Sequence, residues 1–139
     1  MAKTSGIGAI IKVDDSGSVA RDISIDVGSY SLNVGNNVVD VSAISSSAME
    51  RLILRSDISI SLTGAALDFG TNLAHDVFKV LTGERTVELG PIGSGTGDPK
   101  ISFEGVIESY TPTTDASAAS GWSATIMLSN GTAPSWTTY

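Results

Sequence analysis

The sequence predicts a mainly β domain, a β-sandwich or barrel flanked by one α-helix. About seven short segments alternate apolar and polar residues, which is the period of a half-buried strand. One stretch, Leu73 to Leu81, repeats its apolar residues at helical spacing instead. Clusters of Gly, Asn, Asp and Ser separate the segments and favour turns. Many short strands with one helix are typical of a sandwich or barrel that the helix packs against.

Two strands are predicted near the amino terminus. Residues 7–13 form an apolar, strand-like run. Val19 to Val27 alternates, with Asp22, Ser24 and Asp26 on the face opposite the isoleucines. The second strand should therefore have one buried face and one acidic face in water.

The next part of the chain is predicted to contain shorter strands. Residues 30–34 continue the sheet, Asn36-Asn37 forms a turn, and residues 38–43 make another strand. Residues 49–54 have a mixed pattern and are interpreted as an extended approach. Residues 57–63 form the clearest strand, because apolar and hydroxyl side chains alternate strictly.

The single helix is predicted to span about ten residues from Leu73. Asn72 is its expected N-cap, since an amide oxygen can accept a free backbone N–H there. Gly83 suits the left-handed residue beyond the last turn. Residues 85–89 are predicted to return as a strand, followed by a Gly-rich loop over 91–98.

The carboxyl-terminal half predicts a pair of antiparallel strands. Residues 100–110 alternate, with Tyr110 on the polar face. Residues 111–120 are interpreted as a polar connection to a partner strand over 122–128. Residues 132–139 have little regular pattern.

Length and composition favour one domain over residues 1–139, with an extended amino-terminal segment 1–12 and a carboxyl-terminal tail 131–139. The absence of cysteine excludes disulfides and thiolate metal sites. Residues 1–6 lack the apolar core of a signal peptide, and no apolar run approaches the ~20 residues that span a bilayer. We therefore expect no membrane partner.

Charge and polarity point to surfaces rather than chemistry. Charged residues make up 17% of the chain, against roughly 25% in an ordinary soluble domain. This composition suits burial against other protein, and it equally suits a β domain with a Ser/Thr-coated face. The net charge is −7, and only Arg51 and Arg55 lie close together among scattered basic residues. The chain lacks the basic footprint of a nucleic-acid binder.

Motifs that would carry catalysis or cofactors are incomplete. Residues 93–98 are rich in glycine but lack the Gly-Lys-Ser/Thr of a phosphate loop. His75 is the only histidine, so neither a zinc site nor a triad is predicted. Residues 14–17 lack calcium-loop spacing, and Glu104 and Glu108 are too far apart on a strand for a carboxylate dyad. We predict no enzyme activity, no metal and no cofactor.

The two tryptophans invite a comparison with stacking sites for sugars or bases. Trp122 begins an alternating strand and is interpreted as a core residue. Trp136 lies in the tail and is interpreted as an anchor against this chain or a neighbour.

Several short motifs resemble the major tail tube proteins of long-tailed (siphovirus-like) bacteriophages. They cover most of residues 20–130: Asp22-Ile23-Ser24, Asp40-Val41-Ser42, Asp57 to Gly64 with Asp68 and then a short helix, and Glu108 to Asp115 followed by Trp122. Many such sequences carry Gly-Leu before the Asp of the third strand, where this chain has Arg51-Leu52.

The resemblance implies a structural virion protein that self-assembles. It implies hexameric rings, with strands of six subunits forming one inner barrel, and rings stacked into a tail tube for DNA ejection. Implied partners are further copies of the chain, a tape-measure protein, and tail terminator or tip proteins. Double-stranded DNA would pass without specific binding, in a virion tail assembled in the host cytoplasm.

Candidate functional residues follow from the resemblance together with the polar faces of the predicted strands. Alternation tells the two sides of a strand apart but not which side lines a channel, so the following residues are candidates for a channel-facing surface with an outer, solvent-exposed surface as the alternative: Asp22, Ser24, Asp26, Glu104 and Glu108. The candidates for contacts between rings, which fall in loops and the tail, are Met49, Arg51, Arg55 and Trp136.

Two alternatives remain open from the sequence. One is another virion component, such as a tail terminator or a capsid decoration protein, which would stop at a fixed oligomer. The other is a small ligand-binding β domain, which would be a monomer.

Overall fold

A computed structural model of the protein describes residues 6–139 as eight strands and one short helix. A 3-10 turn at Gly6–Gly8 precedes them. The elements are β1 Ile10–Asp14, β2 Ala20–Asp22, β3 Ser29–Asp40, β4 Arg51–Gly64, α1 Ala74–Phe78, β5 Glu84–Gly90, β6 Pro99–Asp115, β7 Ala118–Leu128 and β8 Trp136–Thr138. The predicted mainly β class with one helix is confirmed.

The strands form one antiparallel sheet that curls around a single core. Its order is β2-β1-β5-β6-β7-β4-β3, and β8 pairs with β6 outside this path. Buried apolar side chains of β1, β4, β5, β6, β7 and α1 belong to one hydrophobic cluster. A flat sheet does not bring its distant strands onto one cluster, so the sheet wraps around the core and α1.

The central strands show the alternation that the sequence predicts. Ile58, Ile60 and Leu62 of β4 are fully buried, and the residues between them face away from the core. Trp122 and Ile126 of β7 are buried in the same way, which confirms Trp122 as a core residue. This part of the sheet therefore has an apolar inner face and a polar outer face.

The predicted strand over residues 19–27 is wrong beyond Asp22. The Asp22 carboxylate accepts the backbone N–H of Ser24, which bends the chain out of the ladder. As a result Ile25 is 82% exposed, whereas Asp26 is only 9% exposed. Ile25 and Asp26 therefore face the opposite sides from those predicted, because side chains alternate between the two faces only while the backbone stays extended.

The predicted turn at Asn36-Asn37 is also wrong, because β3 runs without interruption from Ser29 to Asp40. Its ladder with β4 continues past these residues, with a shift of register between Asn36 and Val38. The extended approach predicted over 49–54 is confirmed from Arg51, where β4 begins.

The helix is shorter than predicted, five residues instead of about ten. Its N-cap position is Leu73, without a side-chain hydrogen bond, and Asn72 is a left-handed residue with φ of 64°. Gly83 has the predicted positive φ, 86°, but it lies beyond the helix C-cap at Lys79. Val80 and Leu81 consequently remain exposed.

Residues 111–120 are not a connection but the end of a long hairpin. β6 continues to Asp115 and β7 begins at Ala118. The β6–β7 register shifts between Ile107 and Ser109, which turns Tyr110 toward the core instead of the predicted polar face. Tyr110 stacks there on Phe78, with ring centroids 5.6 Å apart.

The carboxyl-terminal tail contains a strand that alternation does not predict. β8 pairs with β6 through Pro99–Thr138, Lys100–Thr137 and Ile101–Trp136. The final residue, Tyr139, donates its N–H to the Asp98 carbonyl and accepts the Gly97 N–H. The tail therefore lies along β6 and the Gly-rich loop.

Candidate assembly surfaces

An exposed two-stranded ribbon projects from the body of the protein. We define this distal ribbon as residues 38–54, the end of β3, the connecting turn and the start of β4. Val38 pairs with Ile53 and Val39 pairs with Leu52. Because successive strand residues point to opposite faces, both faces of the distal ribbon carry an apolar pair.

The apolar side chains of the distal ribbon lie in solvent. Each is at least 40% exposed: Val38, Val39, Val41, Ile44, Met49, Leu52, Ile53 and Leu54. Monomeric soluble proteins seldom expose a contiguous apolar patch of this kind. An isolated two-stranded ribbon is also marginally stable in water. The distal ribbon therefore has the character of a contact surface.

Hydrogen bonds shape the turn of the distal ribbon. Ser42 accepts the Glu50 backbone N–H at 2.7 Å, and the Val41 N–H donates to the Glu50 carbonyl. The Asp40 carboxylate accepts the Ser42 N–H, and hydrogen bonds from Ser42 hold the pKa of Asp40 below its usual range. The turn is thus held by polar contacts while its apolar side chains point outward.

Four neighbouring strands form a unit with two open edges. In the order β6-β7-β4-β3, β3 ends the sheet. β5 pairs with β6 only as far as Val106. Beyond that point, within residues 6–139, the β5-side edge of β6 from Ile107 to Asp115 has no ladder partner. Such edges expose free N–H and C=O groups, which favour pairing with another chain.

The residues predicted to face a channel are not brought together. Asp22 and Ser24 lie at the β2 end of the sheet and bond to each other at 2.5 Å. Glu104 and Glu108 lie on β6, where Glu104 accepts a hydrogen bond from Thr86. The predicted surface position of Asp26 is wrong, because its side chain is buried.

Asp26 instead secures the start of α1. Its carboxylate accepts the Ala74 N–H at 3.1 Å across 48 residues of sequence, and its carbonyl accepts the Trp122 indole N–H. This carboxylate supplies the capping contact that Leu73 cannot make.

The Asp26→Ala variant is expected to lose about 1–2 kcal/mol of unfolding free energy, the usual cost of a lost cap. Urea unfolding followed by tryptophan fluorescence measures this loss, because Trp122 lies at the same contact. Asp68→Ala is the matched control, since its carboxylate serves only the exposed Gly70 N–H among the contacts of the described chain. Equal midpoints for the two variants would contradict the capping role.

The predicted inter-ring residues fall on two separate surfaces. Met49, Arg51 and Arg55 lie on or beside the distal ribbon, and all three are exposed. Trp136 lies on β8 and is 51% exposed. The structure thus groups the three ribbon residues and places Trp136 on a different strand.

Arg85 is a structural residue that the alternation pattern missed. It is 1% exposed, and its guanidinium donates to the carbonyls of Asp14, Val77, Val80 and Thr82. Burial lowers the pKa of Arg85 below its usual value, while the charges of Asp15 and Asp14 oppose that shift. These bonds tie the end of α1 to β1 and β5.

A polar cluster holds the final residue. The Tyr139 hydroxyl donates to Glu88 Oε2 at 3.2 Å, and Lys100 lies 3.3 Å from Glu88 Oε1. Burial and the neighbouring Glu88 carboxylate raise the pKa of Tyr139. The cluster fastens the tail to β5 and β6.

His75 contributes to an aromatic cluster. Its Nδ1 lies 3.0 Å from the Tyr110 hydroxyl, and the Phe69 ring meets it edge-on. Burial and then the charge of Asp26 raise the pKa of Tyr110. These contacts pack α1 against β6.

Across residues 6–139, no three His, Asp or Glu side chains are grouped as metal ligands. None of the helices in that part of the chain is long and apolar enough to cross a bilayer.

Two solved structures share this architecture across almost the whole chain. One is a chain from the virion of a native gene transfer agent particle, with a TM-score of 0.74 and 16% identity over 97% of this chain and 99% of that one. The other is from the tail of an empty gene transfer agent particle with C6 symmetry, with a TM-score of 0.73 and 17% identity over the same shares. No family model and no curated protein matches the sequence. The chain has the fold of these virion chains.

Proposed function

We propose that this protein is a self-assembling structural protein of a phage-like tail tube. Copies form hexameric rings, and the rings stack into a conduit through which DNA leaves the particle. The observation that carries the proposal is the combination of an apolar distal ribbon with a four-stranded unit open at both edges. The fold shared with a C6-symmetric tail supports the ring number.

Ring closure uses the two open edges. β3 of one copy pairs with the Ile107–Asp115 edge of β6 in the next copy, so each copy contributes four strands to a continuous barrel. A head-to-tail contact of this kind produces a closed ring when the rotations between successive copies add up to one full turn. Closure removes the strand edges that would otherwise aggregate.

Stacking of rings uses the distal ribbon. Its apolar faces pack against a neighbouring copy, with Met49, Arg51 and Arg55 in the contact. Met and Arg are enriched at interfaces, which suits this composition. Trp136 forms a second contact from β8, because an exposed aromatic residue is a frequent interface anchor.

The remaining partners follow from the tube role. A tape-measure protein fills the tube before DNA, and terminator and tip proteins close its ends. Assembly takes place in the host cytoplasm, and the working location is the virion tail. The net charge of −7 supports transit of DNA without retention, since binding requires cationic side chains that neutralise phosphates.

Negative-stain microscopy of the purified protein at rising concentration tests the proposal. Tubes with stacked rings are the expected result. Isolated rings that never stack would favour a tail terminator or a capsid decoration protein. A stable monomer under all conditions would overturn the proposal.

Hydrogen exchange should show the distal ribbon becoming ordered on assembly. In the free subunit its amides are expected to exchange quickly, because the ribbon has no packed face and opens at little cost in free energy. In tubes the same amides should be protected. The core amides of β4, near Ile60, are the internal control and should be protected in both states. Equal exchange of ribbon amides in subunit and tube would contradict the stacking role.

A further inference from the structure

The outer face of the four-stranded unit is covered by hydroxyl side chains. The registers of its three ladders align two complete rows across β3, β4, β7 and β6. The first row is Ser29, Thr63, Ser123 and Thr111, and the second row is Ser31, Ser61, Thr125 and Ser109. We name these two rows the hydroxyl face.

The hydroxyl face points away from the core. Between its residues, Leu62 of β4 and Ala124 of β7 are buried. Tyr30 of β3 and Tyr110 of β6 pack against the same core. Because neighbouring strand residues alternate between faces, the hydroxyls lie on the side opposite the helix and the core.

The hydroxyl face runs from one open edge to the other. Its β3 members lie on the last strand of the sheet. Its β6 members, Ser109 and Thr111, lie beyond the last residue that β5 pairs with, Val106. Pairing of β3 with β6 of the next copy would therefore continue both rows around a ring without interruption.

The composition of the hydroxyl face differs from that of a protein interface. Serine is depleted at interfaces, whereas aromatic residues, Met and Arg are enriched. An ordinary outer surface carries about 25–35% charged side chains, and these two rows have none. The face is suited to water rather than to packed protein, which distinguishes it from the distal ribbon.

The bulk of the subunit decides which way the hydroxyl face points in a ring. The core, α1 and the strands β1 and β5 all lie behind the four-stranded unit. Six such units give a barrel of about 24 strands, larger than the 16–18-stranded barrels that leave an aqueous channel. The subunit bodies have room around the outside of that barrel, whereas bodies placed inside it would fill the channel. The hydroxyl face, which is on the opposite side of the sheet from the bodies, therefore points inward.

We propose that the hydroxyl face lines the channel and is the surface that passing duplex DNA meets, an inference that rests on the proposed tube function. Its hydroxyls give the phosphates no cation to bind, and they exchange hydrogen bonds with water at small net free energy. The wall is thus hydrated and uncharged over these rows. Glu108 lies beside Ser109 at the register shift, so a carboxylate borders the face without belonging to it.

Cysteine labelling of assembled tubes tests the orientation of the hydroxyl face. The parent chain contains no cysteine, so each variant carries a single reactive thiol. Ser61→Cys reports the hydroxyl face, with Ser31→Cys as a second variant of the same row. Ile25→Cys is the matched control, because Ile25 is exposed on the subunit body. The probes are a small maleimide, which can diffuse into a tube, and a maleimide carried on a globular protein, which cannot.

In free subunits both probes should react with every variant. In tubes the Ser61→Cys and Ser31→Cys variants should react with the small maleimide and lose reaction with the carrier, while Ile25→Cys keeps both reactions. Reaction of the hydroxyl-face variants with the carrier would place the face outside and overturn the inference. Loss of the small-probe reaction would place it in a subunit contact and overturn it too. A chain that forms no tubes contradicts the proposed function itself, which keeps the two failures distinct.

Discussion

Replacing Leu52 and Ile53 together with glutamate is expected to abolish tube formation and leave the subunit folded. The two side chains lie on opposite faces of the distal ribbon, so both of its apolar faces receive a charge. Burying an apolar side chain of this size contributes about 1.5–3 kcal/mol, and an unpaired buried charge costs more than that. Each ring repeats the loss six times in the proposed assembly. Sedimentation velocity should show subunits in place of tubes.

The control for this prediction is Ile25→Glu. Ile25 is a large, exposed apolar residue outside the distal ribbon and the open edges, so its replacement introduces one glutamate elsewhere on the surface. Tubes should form normally, and circular dichroism should match the parent protein for both variants. Tubes formed by the Leu52→Glu, Ile53→Glu protein would refute the role of the ribbon.

The Arg85→Ala variant is expected to be the least stable single variant of the body. Four carbonyls lose a charged donor, and the bond to the Val77 carbonyl is the buried one among them. A hydrogen bond from a charged group contributes about 1.5–3 kcal/mol, which is a large part of the total of roughly 5–15 kcal/mol for a domain. Urea unfolding of the subunit should show a correspondingly lower midpoint.

Lysine at this position is an informative second variant. Arg85→Lys keeps the charge but not the planar fork that reaches several carbonyls at once, so it should recover only part of the lost stability. Arg55→Ala, at an exposed position, should stay within about 0.5 kcal/mol of the parent protein. An Arg85→Ala midpoint equal to that of Arg55→Ala would refute the structural role.

These two predictions separate assembly from folding. The distal ribbon has no part in the core, and Arg85 has no exposed surface to offer a neighbour. A substitution in the distal ribbon should therefore prevent assembly of folded subunits, whereas a substitution of Arg85 should destabilise the subunit itself.

Alternation in the sequence was sufficient to predict the class of the fold and the inner faces of its central strands. Ile58, Ile60 and Leu62 were assigned correctly because each strand residue two positions apart faces the same side. The start of β4 at Arg51 is different, because residues 49–54 have a mixed pattern and their extended conformation was an interpretation that alternation did not support. A local sequence pattern predicts the burial of residues in regular strands, because their burial alternates along the chain.

Other residues were placed only by contacts between distant parts of the chain. Asp26 looked like a solvent-facing carboxylate until the Ala74 N–H, 48 residues away, gave it a buried partner. Arg85 begins a predicted strand and nothing in the pattern marks it as buried, yet one of its acceptors is the Asp14 carbonyl, 71 residues away. A buried polar group is stable when its hydrogen bonds are made, and periodicity carries no information on where such partners lie.

Residue alternation alone predicts a mainly β chain whose clearest strand, residues 57–63, has an apolar side and a hydroxyl-rich side. The ends of the strands, the open edges and the alignment of eight hydroxyls in two rows across four strands emerge only in the folded chain. The physical reason is that alternation fixes the side on which a residue lies, whereas register and strand order depend on hydrogen bonds between segments far apart in the chain.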